Sequence, residues 1–171
     1  MPPTPATPET STDFGGLGLG FDPYGANAGK PVPAPVGPTR RMTGPAGSLP
    51  QWEQDKIFAA CDGYGIDPTF VAAIRLSENG GPGREFGVLS ISAPTYDLQL
   101  DATCRTVVHR LTDYETKRGV PAIDPDGRYS ADFLDYFGGI WAPIGAGNDP
   151  RGLNQFWVAN VRSAYDTSGV A

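Results

Sequence analysis

Apolar side chains recur every three or four residues through most of the chain after residue 48, the spacing that places them on one face of an α-helix. Proline, aspartate or serine stands at the start of several of these stretches, and glycine stands at several of their ends. The pattern predicts five helices, over residues 51–65, 68 to 78 or 79, 93–119, 130–139 and 151–166, with Gly80 ending the second.

Capping residues and apolar faces add detail to these helices. Asp67-Pro68 and Asp149-Pro150 each pair a capping side chain with a proline suited to the first helical position, and Ser130 is a third cap. Inward-facing positions are predicted at Trp52, Ile57, Phe58 and Cys61 in the first helix, and at Leu98, Ala102, Val108 and Leu111 in the third.

The predicted fold class is mainly α, a helical domain over residues 49–171 with one glycine-rich break at Gly80–Gly87. Residues 1–48 differ, because 11 of the 18 prolines lie within the first 50 residues. A segment of this composition buries too little apolar surface to fold alone. We interpret it as an extended arm that docks on a partner through Phe14, Phe21 and Tyr24, the alternative being an unstructured tail.

Charge and hydropathy exclude several classes of function. The chain carries a net charge of −6 and has a pI near 4.6, so nucleic acid, which requires a basic surface, is not an expected partner. No run of about 18 apolar residues is present, so no membrane span is expected. The first 14 residues lack the basic and apolar regions of a secretory signal, so no signal peptide is expected.

Two cysteines and one histidine bear on metal and redox chemistry. Cys61 and Cys104 both lie in helical apolar patterns, which favours two buried thiols and leaves one disulfide as the alternative. His109 is interpreted as structural. Without CxxC spacing or further histidines, no metal site and no cofactor are expected.

Glu78 is the main candidate for chemistry. It follows Val71 and Ile74 on one helical face, so a carboxylate continues an apolar row two residues before the break at Gly80. Partial burial and the negative end of the helix both favour the protonated acid, which general-acid catalysis needs, whereas a nearby Arg75 would oppose it. The alternative is a boundary residue that reaches into water.

The segment "YGIDPTFVAAIRLSENGG", followed by "FGVLSI", resembles the catalytic segment of soluble lytic transglycosylases and goose-type lysozymes. The matching positions are Gly65-Ile66-Asp67-Pro68, Ala73-Ile74 and Glu78, with a looser match over Gly87–Ile91. Two positions depart from the family pattern, since Asn79 replaces the usual serine and Ser90 replaces the usual glutamine. The resemblance covers about 28 residues and implies a lysozyme-like domain with Glu78 as its catalytic acid.

The resemblance also implies further site residues. Leu89 and Ser90 would line a sugar-binding cleft, and Tyr136 and Trp141 are candidates for stacking on a sugar ring, although aromatic residues there are equally typical of a core. A hydrolase of this kind would need a second acid, for which we consider Asp97, Asp101 and Glu85. Asp97 is better interpreted as the cap of the third helix, and Glu85 as a solvated loop charge.

The implied activity is cleavage of the β-1,4 bond between N-acetylmuramic acid and N-acetylglucosamine in peptidoglycan, by a transglycosylase or a lysozyme. Because the acidic chain shows no signal peptide and begins with a candidate docking arm, we expect it in a bacteriophage virion, in the tail or internal, with residues 1–48 bound to other virion proteins. The alternative is a lysozyme-like domain that binds glycan or a virion subunit without catalysis.

Overall fold

The computed structural model describes residues 40–89 and 92–171, and this part of the chain is mainly helical, as predicted. Two-residue strands, β1 (Met42–Thr43) and β2 (Gly169–Val170), form an antiparallel pair. Single 3-10 turns lie at Gly44–Ser48 and Leu153–Phe156. The α-helices are α1 (Gln51–Tyr64), α2 (Pro68–Glu78), α3 (Tyr96–Arg118), α4 (Ala131–Trp141) and α5 (Trp157–Asp166).

The start predicted for α2 is confirmed, and its end is the earlier of the two predicted positions. Asp67 accepts a hydrogen bond from the Thr69 backbone N–H through Oδ1, at 2.8 Å. The helix ends at Glu78, and Asn79, rather than Gly80, is the residue that stops it, in the left-handed conformation (φ 44°). Asparagine tolerates this conformation better than most residues because its short side chain bonds locally. Glu78 is therefore the last helical residue.

Two other helix starts were predicted differently. Thr95, rather than Asp97, caps α3, because the Thr95 hydroxyl accepts a hydrogen bond from the Leu98 N–H. Asp149 caps a turn instead of starting α5, which begins at Trp157. Gly152, in the left-handed conformation (φ 66°), redirects the chain after Asp149 and so delays the helix.

α2 forms the centre of the core. Its residues from Phe70 to Ile74 are fully buried, and it packs against α5 and α1. Four aromatic rings, whose centroids lie 5.1–6.1 Å from that of Phe70, surround its first turn: Tyr129, Phe133, Phe137 and Tyr165. The Tyr165 hydroxyl also donates to Asp67 Oδ2 at 2.6 Å. The helix that presents Glu78 is thus held at its start by both packing and hydrogen bonds.

The predicted inward faces need correction. Trp52 is 52% exposed, and Leu98, Val108 and Leu111 are only half-buried. The predictions for Ile57, Phe58, Cys61 and Ala102 are confirmed, because all four are buried. The other buried positions of α3 are Gln99, Leu100, Thr103, Cys104, Val107 and Tyr114. Gln99 is turned inward to bond the backbone of a neighbouring loop, which rotates the buried face of α3 away from Leu98.

The folded unit begins earlier than the predicted boundary at residue 49. Met42 and Ala46 are buried, and the Ala46 N–H donates to the Ser168 hydroxyl at 3.0 Å. Residues 1–39, which include most of the proposed docking arm, lie outside the described residues. None of the helices in the described ranges is both long and apolar enough to cross a membrane.

The two cysteines are free thiols buried between α1 and α3, as the apolar pattern predicted. A hydrogen bond with Cys104, and then burial, raises the pKa of Cys61 above its usual range. Since only the thiolate reacts readily, we expect slow labelling of the folded protein by a thiol-specific disulfide reagent at about pH 8. In guanidinium, two thiols per chain should react at once; rapid labelling of folded protein would contradict the buried pair.

Candidate functional site

The side chain of Glu78 lies where the ends of three helices meet. Glu78 ends α2, Trp141 ends α4 and Trp157 begins α5. Both indole N–H groups donate to the same carboxylate oxygen, Glu78 Oε1, at 2.8 Å from Trp141 and 2.7 Å from Trp157. Hydrogen bonds to an ionisable group are among the stronger ones in proteins, so the two indoles hold this carboxyl group in one orientation.

The indole rings are themselves fixed by packing. Phe137 stacks on Trp141 with ring centroids 5.3 Å apart, and on Trp157 with centroids 6.0 Å apart. The Trp157 ring is almost fully buried. Because the donors belong to rigid, packed rings, Oε1 meets two N–H groups that are already in position before any ligand arrives.

Gly87 contacts the other side of the carboxyl group. A Cβ atom added to Gly87 would lie 2.2 Å from Glu78 Oε2 and 2.4 Å from Cδ, and the backbone there is left-handed (φ 68°). Both the close approach and the conformation require glycine. The loop after α2 therefore folds back so that backbone without a side chain lies against Oε2.

Gln99 of α3 fixes this returning loop. Its side-chain oxygen accepts from the Val88 N–H at 3.1 Å, and its Nε2 donates to the carbonyls of Val88 and Ala93 at 2.9 and 3.0 Å. Gln99 is almost fully buried, so these hydrogen bonds satisfy a side chain that water does not reach. Gln99 was not among the predicted site residues. A polar residue within the buried row of α3 is the sequence feature that could have identified it.

Arg75 does not pair with Glu78. Its guanidinium instead forms a two-point ion pair with Glu53 of α1, Nε to Oε2 at 2.8 Å and Nη2 to Oε1 at 3.3 Å. Burial raises the pKa of the adjoining Tyr96 above its usual range, and the Glu53 carboxylate raises it further. The positive charge that could have opposed a protonated Glu78 is thus taken up by a partner that sequence analysis did not identify.

The two carboxyl oxygens of Glu78 consequently have different surroundings. Oε1 accepts the two indole N–H hydrogen bonds. Oε2 lies instead beside the Gly87 backbone.

A cleft of about 520 Å³ opens in front of Ser77 and Glu78. Its opposite wall comes from the turn and helix around Asp149 and Trp157, and its lining is largely polar. The wall residues are Asn148, Asp149, Pro150, Arg151, Leu153, Asn154, Phe156, Trp157 and Asn160. Phe156 is 53% exposed, so the cleft combines amide groups with an accessible aromatic ring.

Glu85 and Asp97 were considered as a second acid. Glu85 is buried, and its Oε1 accepts from the Gly83 N–H at 3.0 Å, so its interpretation as a solvated loop charge is wrong. Asp97 lies on the exposed first turn of α3 and pairs with Lys56 at 2.5 Å. Asp101 accepts from the Tyr64 hydroxyl at 2.5 Å. None of the three lines the cleft of Glu78.

Of the residues predicted to contact sugar, only some lie near Glu78 within the part of the chain that the structure describes. Trp141 contacts Glu78 directly, whereas the Tyr136 hydroxyl donates to Asp113 at 3.2 Å and its ring packs against Tyr114 of α3. Leu89 is exposed two residues after Gly87, and Ser90 lies outside the described residues. Sugar contacts by Leu89, Ser90, Tyr136 and Trp141 stay predictions. Trp157 was not among the predicted site residues, although its indole donates to the same Glu78 oxygen as that of Trp141.

No family model, no curated protein and no solved structure matches the chain. Within residues 40–89 and 92–171, no group of three or more histidine, cysteine, aspartate or glutamate side chains is placed to hold a metal ion.

Replacing Gly87 by alanine tests the contact with Glu78. The added methyl group would overlap the carboxyl group and strain the left-handed backbone, so we expect a loss of about 2 kcal/mol in the free energy of unfolding. Urea denaturation measures the loss. Gly81→Ala is the matched control, because its Cβ would meet nothing within 4 Å. Equal stability of the two variants would refute the contact.

Replacing either tryptophan tests the two indole hydrogen bonds to Glu78 Oε1. Trp141→Phe and Trp157→Phe keep an aromatic ring but remove one N–H donor each, so each should lower the free energy of unfolding by about 1–2 kcal/mol. Trp52→Phe changes an exposed indole away from Glu78 and should cost less than about 0.5 kcal/mol. The idea fails if urea denaturation gives the three variants the same stability.

Proposed function

We propose that the protein is a lytic transglycosylase with a lysozyme-like fold, which cleaves peptidoglycan between N-acetylmuramic acid and N-acetylglucosamine. The observation that carries this proposal is the Glu78 carboxyl group, held through Oε1 by two indole N–H groups at the edge of an open cleft. A fixed acid beside a cleft of amide and aromatic groups suits protonation of a glycosidic oxygen.

In the first step, Glu78 Oε2 gives its proton to the glycosidic oxygen, and the bond from that oxygen to C1 of the muramyl sugar breaks. The two indole N–H groups stabilise the carboxylate that forms, because they already point at Oε1. In the second step, this carboxylate takes the proton of the 6-hydroxyl of the same sugar. The hydroxyl oxygen then bonds to C1, and a 1,6-anhydro product leaves with Glu78 protonated again.

The surroundings of the other acids support a mechanism that uses Glu78 alone. An inverting hydrolase needs a second carboxylate at roughly 6.5–9.5 Å to activate water. Glu85 is buried against the Gly83 backbone, and Asp97 is paired with Lys56. Both carboxylate oxygens of Asp149, across the cleft, accept backbone N–H groups. Intramolecular attack by the 6-hydroxyl avoids the need for a second acid.

We further propose that the protein acts in a bacteriophage virion. A chain with a net charge of −6 is repelled by an anionic cell wall, so delivery in a particle favours contact with the substrate. The proline-rich residues 1–48 supply a segment suited to bind other virion proteins. Removing residues 1–39, which spares the buried Met42 and Ala46, should leave glycan cleavage intact and abolish incorporation into the particle.

Glu78→Gln tests the catalytic role. Glutamine keeps the shape of the side chain but has no acidic proton, so we expect clearing of purified cell walls to fall by at least about 100-fold. Asp62→Asn is the matched control, because Asp62 is an exposed carboxylate paired with Arg40. This variant should keep full activity. Mass spectrometry of the soluble products should find anhydromuramyl ends.

The same assays distinguish the alternatives. Reducing ends in place of anhydro ends, with activity lost in Glu85→Gln or Asp97→Asn, would identify a hydrolase with a second acid. Equal clearing by the original protein and by Glu78→Gln would rule out Glu78 as the acid. Absence of clearing by either, with binding to the walls retained, would indicate the non-catalytic binding module.

A further inference from the structure

The cleft in front of Glu78 contains a positive charge that the reaction described above does not use. Arg151 lines the cleft and is exposed, and it forms no ion pair with any residue in the described ranges. The chain after residue 50 has 10 lysine and arginine residues against 16 acidic residues. An arginine left unpaired in the cleft of such an acidic domain is available to bind an anion.

The negative charges nearest to Arg151 along the chain are already engaged. Asp149 Oδ1 accepts from the Leu153 N–H at 2.9 Å, and Oδ2 accepts from the Asn154 N–H at 2.8 Å. The other acid that lines the cleft, Glu78, accepts the two indole N–H hydrogen bonds through Oε1. An incoming carboxylate therefore meets an arginine whose five N–H donors are not used by these acids.

The turn that carries Arg151 is well ordered by hydrogen bonds. The Gly152 N–H donates to the Asp149 carbonyl at 3.1 Å, next to the two hydrogen bonds that the Asp149 carboxylate accepts. Asn154, which follows, donates its Nδ2 to the Pro143 carbonyl at 3.0 Å. These contacts fix the backbone beside Arg151, so less freedom is lost when its side chain binds.

The rest of the cleft lining suits a neutral sugar. Asn148, Asn154 and Asn160 offer amide groups that match hydroxyl and acetamido groups, and the exposed ring of Phe156 offers a stacking surface. A sugar polymer without charge would leave Arg151 unused. The combination fits a glycan that carries a carboxylate at one position along its strand.

We propose that Arg151 binds a carboxylate on the lactyl or peptide substituent of the muramyl sugar, and so selects acid-bearing strands over neutral N-acetylglucosamine polymers. This inference rests on the proposed function, because it assigns a substrate feature to the same cleft. A planar guanidinium binds a carboxylate through two parallel hydrogen bonds, which gives both affinity and orientation. Because Arg151 is exposed, added salt should weaken the attraction between its guanidinium and the carboxylate of the glycan.

Binding measured by calorimetry tests the proposal in the full chain carrying Glu78→Gln, which prevents turnover. The three probes are muramyl glycan strands with intact peptide stems, the same strands after an amidase has removed the stems, and a neutral chitooligosaccharide of equal length. Arg151→Gln is compared with Arg118→Gln, which removes the same charge at the end of α3 outside the cleft.

Arg151→Gln should lower the affinity for an acid-bearing strand about tenfold relative to the affinity for chitooligosaccharide, a loss typical of one charge-assisted hydrogen-bonded pair. Arg118→Gln should leave this ratio unchanged. A loss confined to stem-bearing strands identifies a stem carboxylate as the bound group, and a loss confined to trimmed strands identifies the lactyl carboxylate.

Three results would overturn the inference. An unchanged ratio in Arg151→Gln, or an equal loss for charged and neutral glycans, would show that Arg151 does not recognise a carboxylate. An equal loss in Arg118→Gln would show a nonspecific charge effect. If the Glu78→Gln chain bound none of the three glycans, the proposed function itself would fail, and the inference with it.

Discussion

Two indole N–H groups on one oxygen of Glu78 tie together the ends of α2, α4 and α5. An acid at the edge of a core is costly to bury unless its oxygens have partners, and here both donors come from rings packed on Phe137. The same contact orients the carboxyl group and joins three helices. Any change that moves one of these helix ends therefore also moves the acid.

The loop that returns beside Glu78 depends on two further constraints. Gly87 lets the backbone pass against Oε2, and Gln99 holds the next residue, Val88, through both its N–H and its carbonyl. Neither residue carries charge. The separate ion pair between Arg75 and Glu53 removes a cation from the vicinity of Glu78. The groups in contact with the acid, two indoles and the Gly87 backbone, are thus neutral.

Local signals predicted the parts of the fold that local forces control. The Asp67-Pro68 start, the Ser130 cap and the stop at Gly119 were predictable because each depends on hydrogen bonds within a few residues. Glu78 was identified because its position on an apolar helical row is visible in the spacing. The start of α5 was predicted too early, because Gly152 turns the chain before the helix. The inward side of α3 was also predicted incorrectly, because Gln99 is buried to bond the neighbouring loop.

The sequence by itself determined a mainly helical chain with an acid at the end of its second helix, because helix period, caps and glycine breaks are read over a few neighbouring residues. Only the tertiary structure decided which groups surround that acid. Trp141 and Trp157 lie 63 and 79 residues from Glu78, and Glu53 lies 22 residues from Arg75. Contacts at such separations follow from how helices pack, which no local pattern encodes.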